Sequence, residues 1–143
     1  MQVDELVETF DLLGDWEERY RYLIDLGRQL APLPDADHDE THRVRGCMSQ
    51  VWMTAQVGDG ANPVLTFLGD SDAHIVKGLI ALLFQLVDGR RASDILATDI
   101  DGVFEQLGLG SHISMNRRNG FYSMVERIHH LAEKAAHESR TGS

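Results

Sequence analysis

One cysteine, Cys47, stands in the stretch Thr41 to Met53 (THRVRGCMSQVWM), directly after Gly46 and between two short runs that read as strands. A lone thiol makes no intramolecular disulfide and does not by itself fill a four-ligand metal site. It serves either as a small buried apolar group or as a nucleophile. An unperturbed thiol is only about 3% thiolate at pH 7, and each unit taken off its pKa raises that fraction close to tenfold. Arg43 and Arg45 lie beside Cys47 in the chain, and Arg117 or Arg118 could approach it in space. Guanidinium groups so placed would favour the anion. The glycine before it supplies backbone freedom that a residue with a Cβ lacks, so Cys47 is expected on a tight connection. Arginines at such spacing also fit a solvated strand edge, and residue chemistry alone leaves both readings of the cysteine open.

Other reactive side chains make weaker cases. His38, His42 and His74 together with Cys47 match no compact zinc spacing, so no metal site is expected. Papain-like chemistry needs a histidine base against the thiol, and no histidine is singled out for that place. His74 is expected one turn into a buried helix, satisfying a local hydrogen bond. His129 and His130 read as surface residues, Trp52 as core, and Met48 as a packing or partner-contact residue.

The elements that must position Cys47 follow from periodicity. Val3, Leu6, Val7, Phe10 and Leu13 form one helical stripe ended by Gly14. Asp15 and Glu18 read as a capping box for a second helix, which carries Trp16, Tyr20, Leu23, Ile24, Gly27 and Leu30 on one side and is closed by Pro32. A polar connection of about ten residues follows, too short for a domain boundary. Val51, Met53, Ala55 and Val57 alternate with polar neighbours as a strand does, the turn cluster GDGANP follows, and residues 64–68 return as a hairpin. Residues 43–45 are expected as a third short strand. The helix after Gly69, capped by Asp70 or Ser71, is apolar on nearly every side and is expected at the centre of the core. Short helical pieces over 93–97 and 103–107 precede a final amphipathic helix over 117–137. Helices around a small three-stranded antiparallel sheet define an α+β fold. Residues 1–137 are expected to form one domain, with 138–143 a flexible tail.

At 143 residues the chain can bury roughly 70% of its unfolded surface. Its net charge of −10, from 23 acidic against 13 basic residues, argues against a phosphate-backbone binder, and no nucleic-acid partner is expected. No apolar run approaches the roughly 20 residues of a membrane span. Asp4, Glu5 and Glu8 stand where a signal peptide would carry positive charge, and a single unpaired cysteine suits a reducing compartment, so a cytoplasmic location is expected.

The run Val44-Arg45-Gly46-Cys47-Met48-Ser49-Gln50-Val51-Trp52 resembles the cysteine signature of the SufE family, with its paralogue CsdE, sulfur acceptors that work beside cysteine desulfurases. Three more blocks agree in order. They are Trp16-Glu17-Glu18-Arg19-Tyr20 with Leu26-Gly27, then Gly69 to Ala73 with Ile75 to Ile80, and His112-Ile113-Ser114 with Arg117 and Gly120. The resemblance implies a SufE/IscU-like fold in which Cys47 accepts persulfide sulfur from a SufS- or CsdA-like desulfurase, stimulates that enzyme, and passes the sulfur to an iron–sulfur scaffold. It implies no cofactor of the chain's own, because pyridoxal phosphate belongs to the desulfurase. It implies a cysteine loop able to turn inward to an apolar pocket, supported by Gly46, Ser49, Asp72 and Arg117. For Ser71 and Asp72 residue chemistry favours helix capping, and Arg117 suits a structural partner as well as a direct role. The motifs do not separate SufE from CsdE, and no oligomeric state is read from them. The competing expectations are an IscU-like scaffold or metal-binding assembly protein, which would normally need several cysteines, and a non-catalytic interaction module.

Overall fold

A computed structural model describes residues 3–47 and 49–141. Among them six helices surround a three-stranded antiparallel sheet, the α+β architecture expected. Met48 lies outside the described residues.

Helix α1 (Val3–Leu13) buries Leu6 and Phe10, and helix α2 (Trp16–Arg28) starts where Asp15 accepts a hydrogen bond from the Glu18 amide at 2.9 Å. Such a cap satisfies a backbone donor that the first turn leaves without a partner. Helix α2 ends four residues before Pro32, earlier than expected: the Gln29 amide closes onto Leu26 and the Leu30 amide onto Gly27. Strands β1 (Val51–Val57) and β2 (Val64–Ser71) form the expected hairpin, with Val51 opposite Ser71 and Val57 opposite Leu65. Val51 and Met53 point into the core, as their alternation required.

The third strand is not the expected one. It is β3 (Arg90–Arg91), pairing with Val64 and Leu65 on the outer edge of β2 after an intervening helix. Residues 43–45 contribute only a bridge, Arg43 to Trp52, flanked by bonds from Met53 N–H to the His42 carbonyl and from Val44 N–H to the Val51 carbonyl. The chain turns at Gly46 before a longer ladder can form.

Helix α3 (His74–Val87) is the centre of the core. Eleven of its fourteen residues are buried, so little solvated face remains. Neither Asp70 nor Ser71 caps it: pairing with β1 draws both into β2, and α3 starts after Ala73 without a side-chain cap. His74, its first residue, is exposed rather than buried. Helices α2 and α3 meet at Gly27 and Gly78, where a Cβ on Gly27 would lie 2.7 Å from the Gly78 nitrogen and one on Gly78 would overlap the Leu23 carbonyl. Helices α4 (Ala92–Ala97) and α5 (Ile100–Gln106) lead to α6 (Met115–Thr141), whose buried side includes Phe121, Met124, Val125, Ile128, Ala132 and Ala135. Helix α6 extends through four of the residues expected in the tail. No helix among the described residues is long and apolar enough to cross a membrane.

Candidate functional site

Cys47 sits on the bend between the Arg43–Trp52 bridge and β1. The bend depends on Gly46, whose φ of +87° is left-handed. A Cβ there would also press on the Ser123 Oγ of α6, at 2.5 Å. Both termini of the bend are fastened. Buried Val44 donates its amide to the Val51 carbonyl at 2.8 Å on the incoming arm. On the outgoing arm, Asp72 Oδ1 accepts from the Gln50 amide at 3.0 Å while the Asp72 amide donates back to the Gln50 carbonyl at 3.3 Å. The expected capping role of Asp72 is therefore replaced by a clasp on the cysteine loop, because its carboxylate is taken by the Gln50 amide and α3 begins beyond it without a side-chain cap. Ser71 instead uses its Oγ to accept from the Ala73 amide.

The thiol is half-buried and turned toward α6, where Sγ donates to the Gly120 carbonyl at 3.5 Å. Gly120 has no side chain to hold the sulfur away; a Cβ there would stand 3.4 Å from Sγ. A cavity of about 20 Å³ opens beside it. Val51, Val76, Leu79, Phe121 and Met124 make its apolar floor, and Ser49, Asn116 and Arg117 its polar rim. Arg117 is exposed, at the start of α6 where Ser114 Oγ accepts its amide, whereas Arg118 reaches away to the Gly110 carbonyl.

Burial pushes the Cys47 thiol above its ordinary pKa, and the Arg43 charge opposes this only in part. The expected activation by neighbouring arginines is thus reversed in the resting structure. Both arginines are also engaged by Glu40, one carboxylate oxygen lying 3.4 Å from Arg43 and the other 3.0 Å from Arg45.

The four residues weighed as a zinc set do not converge. His38 pairs with Asp70, His42 with Asp39, and His74 is exposed. Among the described residues no group of three or more His, Cys, Asp or Glu is placed to hold a metal ion. A larger groove of about 430 Å³ lies between α2, β2 and α3, lined by residues such as Leu30, Phe67 and Phe84, with Asp88 its one ionisable side chain and no thiol, hydroxyl or imidazole. Sequence reasoning gave Gly120 no role at the site, although an isolated glycine inside an otherwise regular helix is the signal that marks a close approach. Trp52, expected in the core, is half-buried with its ring edge against His38.

A hairpin clasping one half-buried thiol against a long helix defines a small α+β protein with a single candidate reactive group. The chain belongs to the SufE family, described as a domain associated with Fe–S metabolism, which matches residues 4–132. A SufE-like protein of Rhizobium meliloti is 44% identical over 132 residues, covering 92% of this chain and 94% of the relative. Another from Rhizobium etli is 43% identical over 135 residues, covering 94% and 91%. The solution structure of a hypothetical protein from Thermus thermophilus shares the fold, with a TM-score of 0.75 at 21% identity over 93% of this chain and 94% of that one.

Proposed function

We propose that this protein is a sulfur carrier, with Cys47 as the acceptor and a cysteine desulfurase as the donor. The Cys47 thiolate attacks the outer sulfur of a persulfide on the desulfurase cysteine. The new bond leaves Cys47 as the persulfide, the desulfurase cysteine departs as a thiolate, and the proton stays on the transferred sulfur. The exchange follows thiol–disulfide logic, with no net oxidation. A thiolate on an iron–sulfur scaffold then takes the same sulfur in a second exchange. Ser49 and Arg117 border the transfer path, and Gly46 with Asp72 sets the attitude of the loop.

The observation that carries this reading is the cavity beside Sγ. A space of about 20 Å³ exceeds the roughly 10–15 Å³ that a single water needs, and its floor is apolar. It suits one additional sulfur atom held away from water. The same burial suppresses the thiolate at rest, so the loop must turn outward for Cys47 to attack.

Incubation with a cysteine desulfurase and isotopically labelled cysteine should add one reductant-labile sulfur to Cys47, read by mass spectrometry of the intact chain and its peptides. Cys47→Ser should take up none and should lose stimulation of the desulfurase. Uptake and stimulation equal to the parent protein would end the proposal.

A further inference from the structure

His38 lies on the connection leading into the cysteine loop and faces two acceptors at once. Its Nε2 is 2.7 Å from Asp70 Oδ2 on β2, and its Nδ1 is 3.1 Å from the Pro34 carbonyl oxygen. A neutral imidazole carries one N–H, so it can donate to only one of them; the imidazolium carries two and serves both. The ring also meets the edge of Trp52 on β1, with centroids 4.8 Å apart. Side-chain exposure is 23% for His38 and 28% for Asp70, so their contact is partly shielded from water, whereas the Pro34 contact is exposed.

This contact is the outermost in a series that fastens the incoming arm to the sheet. After it come the Met53 N–H bond to the His42 carbonyl, the Arg43–Trp52 bridge and the Val44 N–H bond to Val51, on three successive residues of the arm that leads to Cys47. We propose that His38 is a positioning residue whose second proton fastens the incoming arm of the Cys47 loop, and whose loss of that proton loosens the arm. In the neutral ring Nε2–H can still donate to Asp70, but without the imidazolium charge that strengthens the tie to the sheet, and the Nδ1 lone pair then faces the Pro34 carbonyl, so that brace within the arm parts.

The charged groups around the ring pull in two directions, the Asp70 carboxylate favouring the imidazolium and the Lys77 ammonium competing for that carboxylate. Asp70 is the nearest, from β2, and Lys77 of α3 lies 3.4 Å from Asp70 Oδ1 on its other side; Asp35 belongs to the arm itself. The hydrogen bond to Asp70 raises the His38 pKa above the usual histidine value, outweighing the effect of burial. Burial alone would raise Asp70, but bonds from His38, the Ser71 amide and Lys77 hold it below the usual carboxylate range. A raised histidine pKa means that the fastening is complete below the unfolded value of about 6.5 and is lost as pH rises through the folded value. His42 bonds to Asp39 within the same arm, so its titration ties nothing to the sheet.

The consequence for sulfur transfer rests on the reading of Cys47 as acceptor, but the test reads the arm itself. The ring shifts of His38 and the hydrogen-exchange protection of the Val44 amide, corrected for intrinsic exchange, are followed by NMR from about pH 5.5 to 8.5. In the parent protein Val44 protection should fall several-fold as His38 titrates. Asp70→Asn offers an amide N–H to the neutral Nε2 while Nδ1–H still serves Pro34, so its protection should become independent of pH. His38→Phe retains a ring against Trp52 but makes neither bond, so protection should be low and flat. Should Asp70→Asn fail to fold, His38→Phe against the parent decides alone. Val44 protection that ignores His38 titration, or a His38→Phe protein indistinguishable from the parent, would overturn the proposal. A protein with this pH response that took up no sulfur would instead sink the acceptor reading and leave the fastener standing.

Discussion

Two seams in this molecule are built on glycine, and they behave as opposites. Between α2 and α3, Gly27 and Gly78 bring backbone against backbone, and an added Cβ would strike a peptide nitrogen at 2.7 Å on one side and the Leu23 carbonyl on the other. Between the cysteine bend and α6, the atoms that meet Gly46 and Gly120 are side chains, Ser123 Oγ and Cys47 Sγ. Backbone atoms inside packed helices have nowhere to go, whereas side chains on a surface helix and a bend can rotate. The same residue type therefore locks one seam and leaves the other able to slide. Close approach by itself does not mean rigidity; what the neighbour is made of decides it.

The strongest way to break this contrast is Gly78→Ala. Overpacking typically costs about 1–3 kcal/mol, and a clash with backbone belongs at or above the top of that range. Chemical denaturation should show a loss of about 3 kcal/mol or more, and a loss under about 0.5 kcal/mol would mean that the helix seam also yields. Gly120→Ala is the counterpart. Its Cβ would rest in ordinary contact, 3.4 Å from Sγ, and alanine is favoured over glycine inside a helix by up to about 1 kcal/mol. Stability should hold or rise, while the added methyl crowds the space beside the thiol. A Cys47 persulfide should then decay several-fold faster in reductant, and an unchanged lifetime would show that the cavity gives no shelter.

Asp72→Ala sharpens the comparison at the outgoing arm. Removing an exposed carboxylate that accepts one amide should lower stability by only about 0.5–1.5 kcal/mol. The loosened arm should nevertheless speed alkylation of Cys47 by several-fold, and equal rates would show that the clasp does not restrain the loop. The smallest effect concerns ionisation. Because burial raises the thiol pKa, alkylation of the folded protein should climb at higher pH than that of the denatured chain. A folded profile at or below the denatured one would mean that Arg43 outweighs burial.

Period and local punctuation made much of this arrangement legible before any coordinates. The alternation of Val51 and Met53, the apolar run of α3 and the glycine before Cys47 each carry their signal within a few residues. The two-residue strand β3 carries none, since Arg90 and Arg91 are too few to show a period of two. Asp72 was misread as a cap because its partner, Gln50, lies 22 positions away and contributes a backbone group that any residue would offer. The charge state of Cys47 was misjudged for a related reason. Arginines beside a thiol can be counted in a sequence, but the carboxylate that engages them and the floor that desolvates the sulfur exist only once the chain has folded.

The stretch 70–72 holds a carboxylate at each of its outer positions, Asp70 gripping the arm that enters the bend through His38 and Asp72 gripping the one that leaves through Gln50. One short abutment thus bears both footings of a single arch. A displacement of that abutment is felt at both footings at once, while the His42 and Val44 bonds to β1 still hold the entering side.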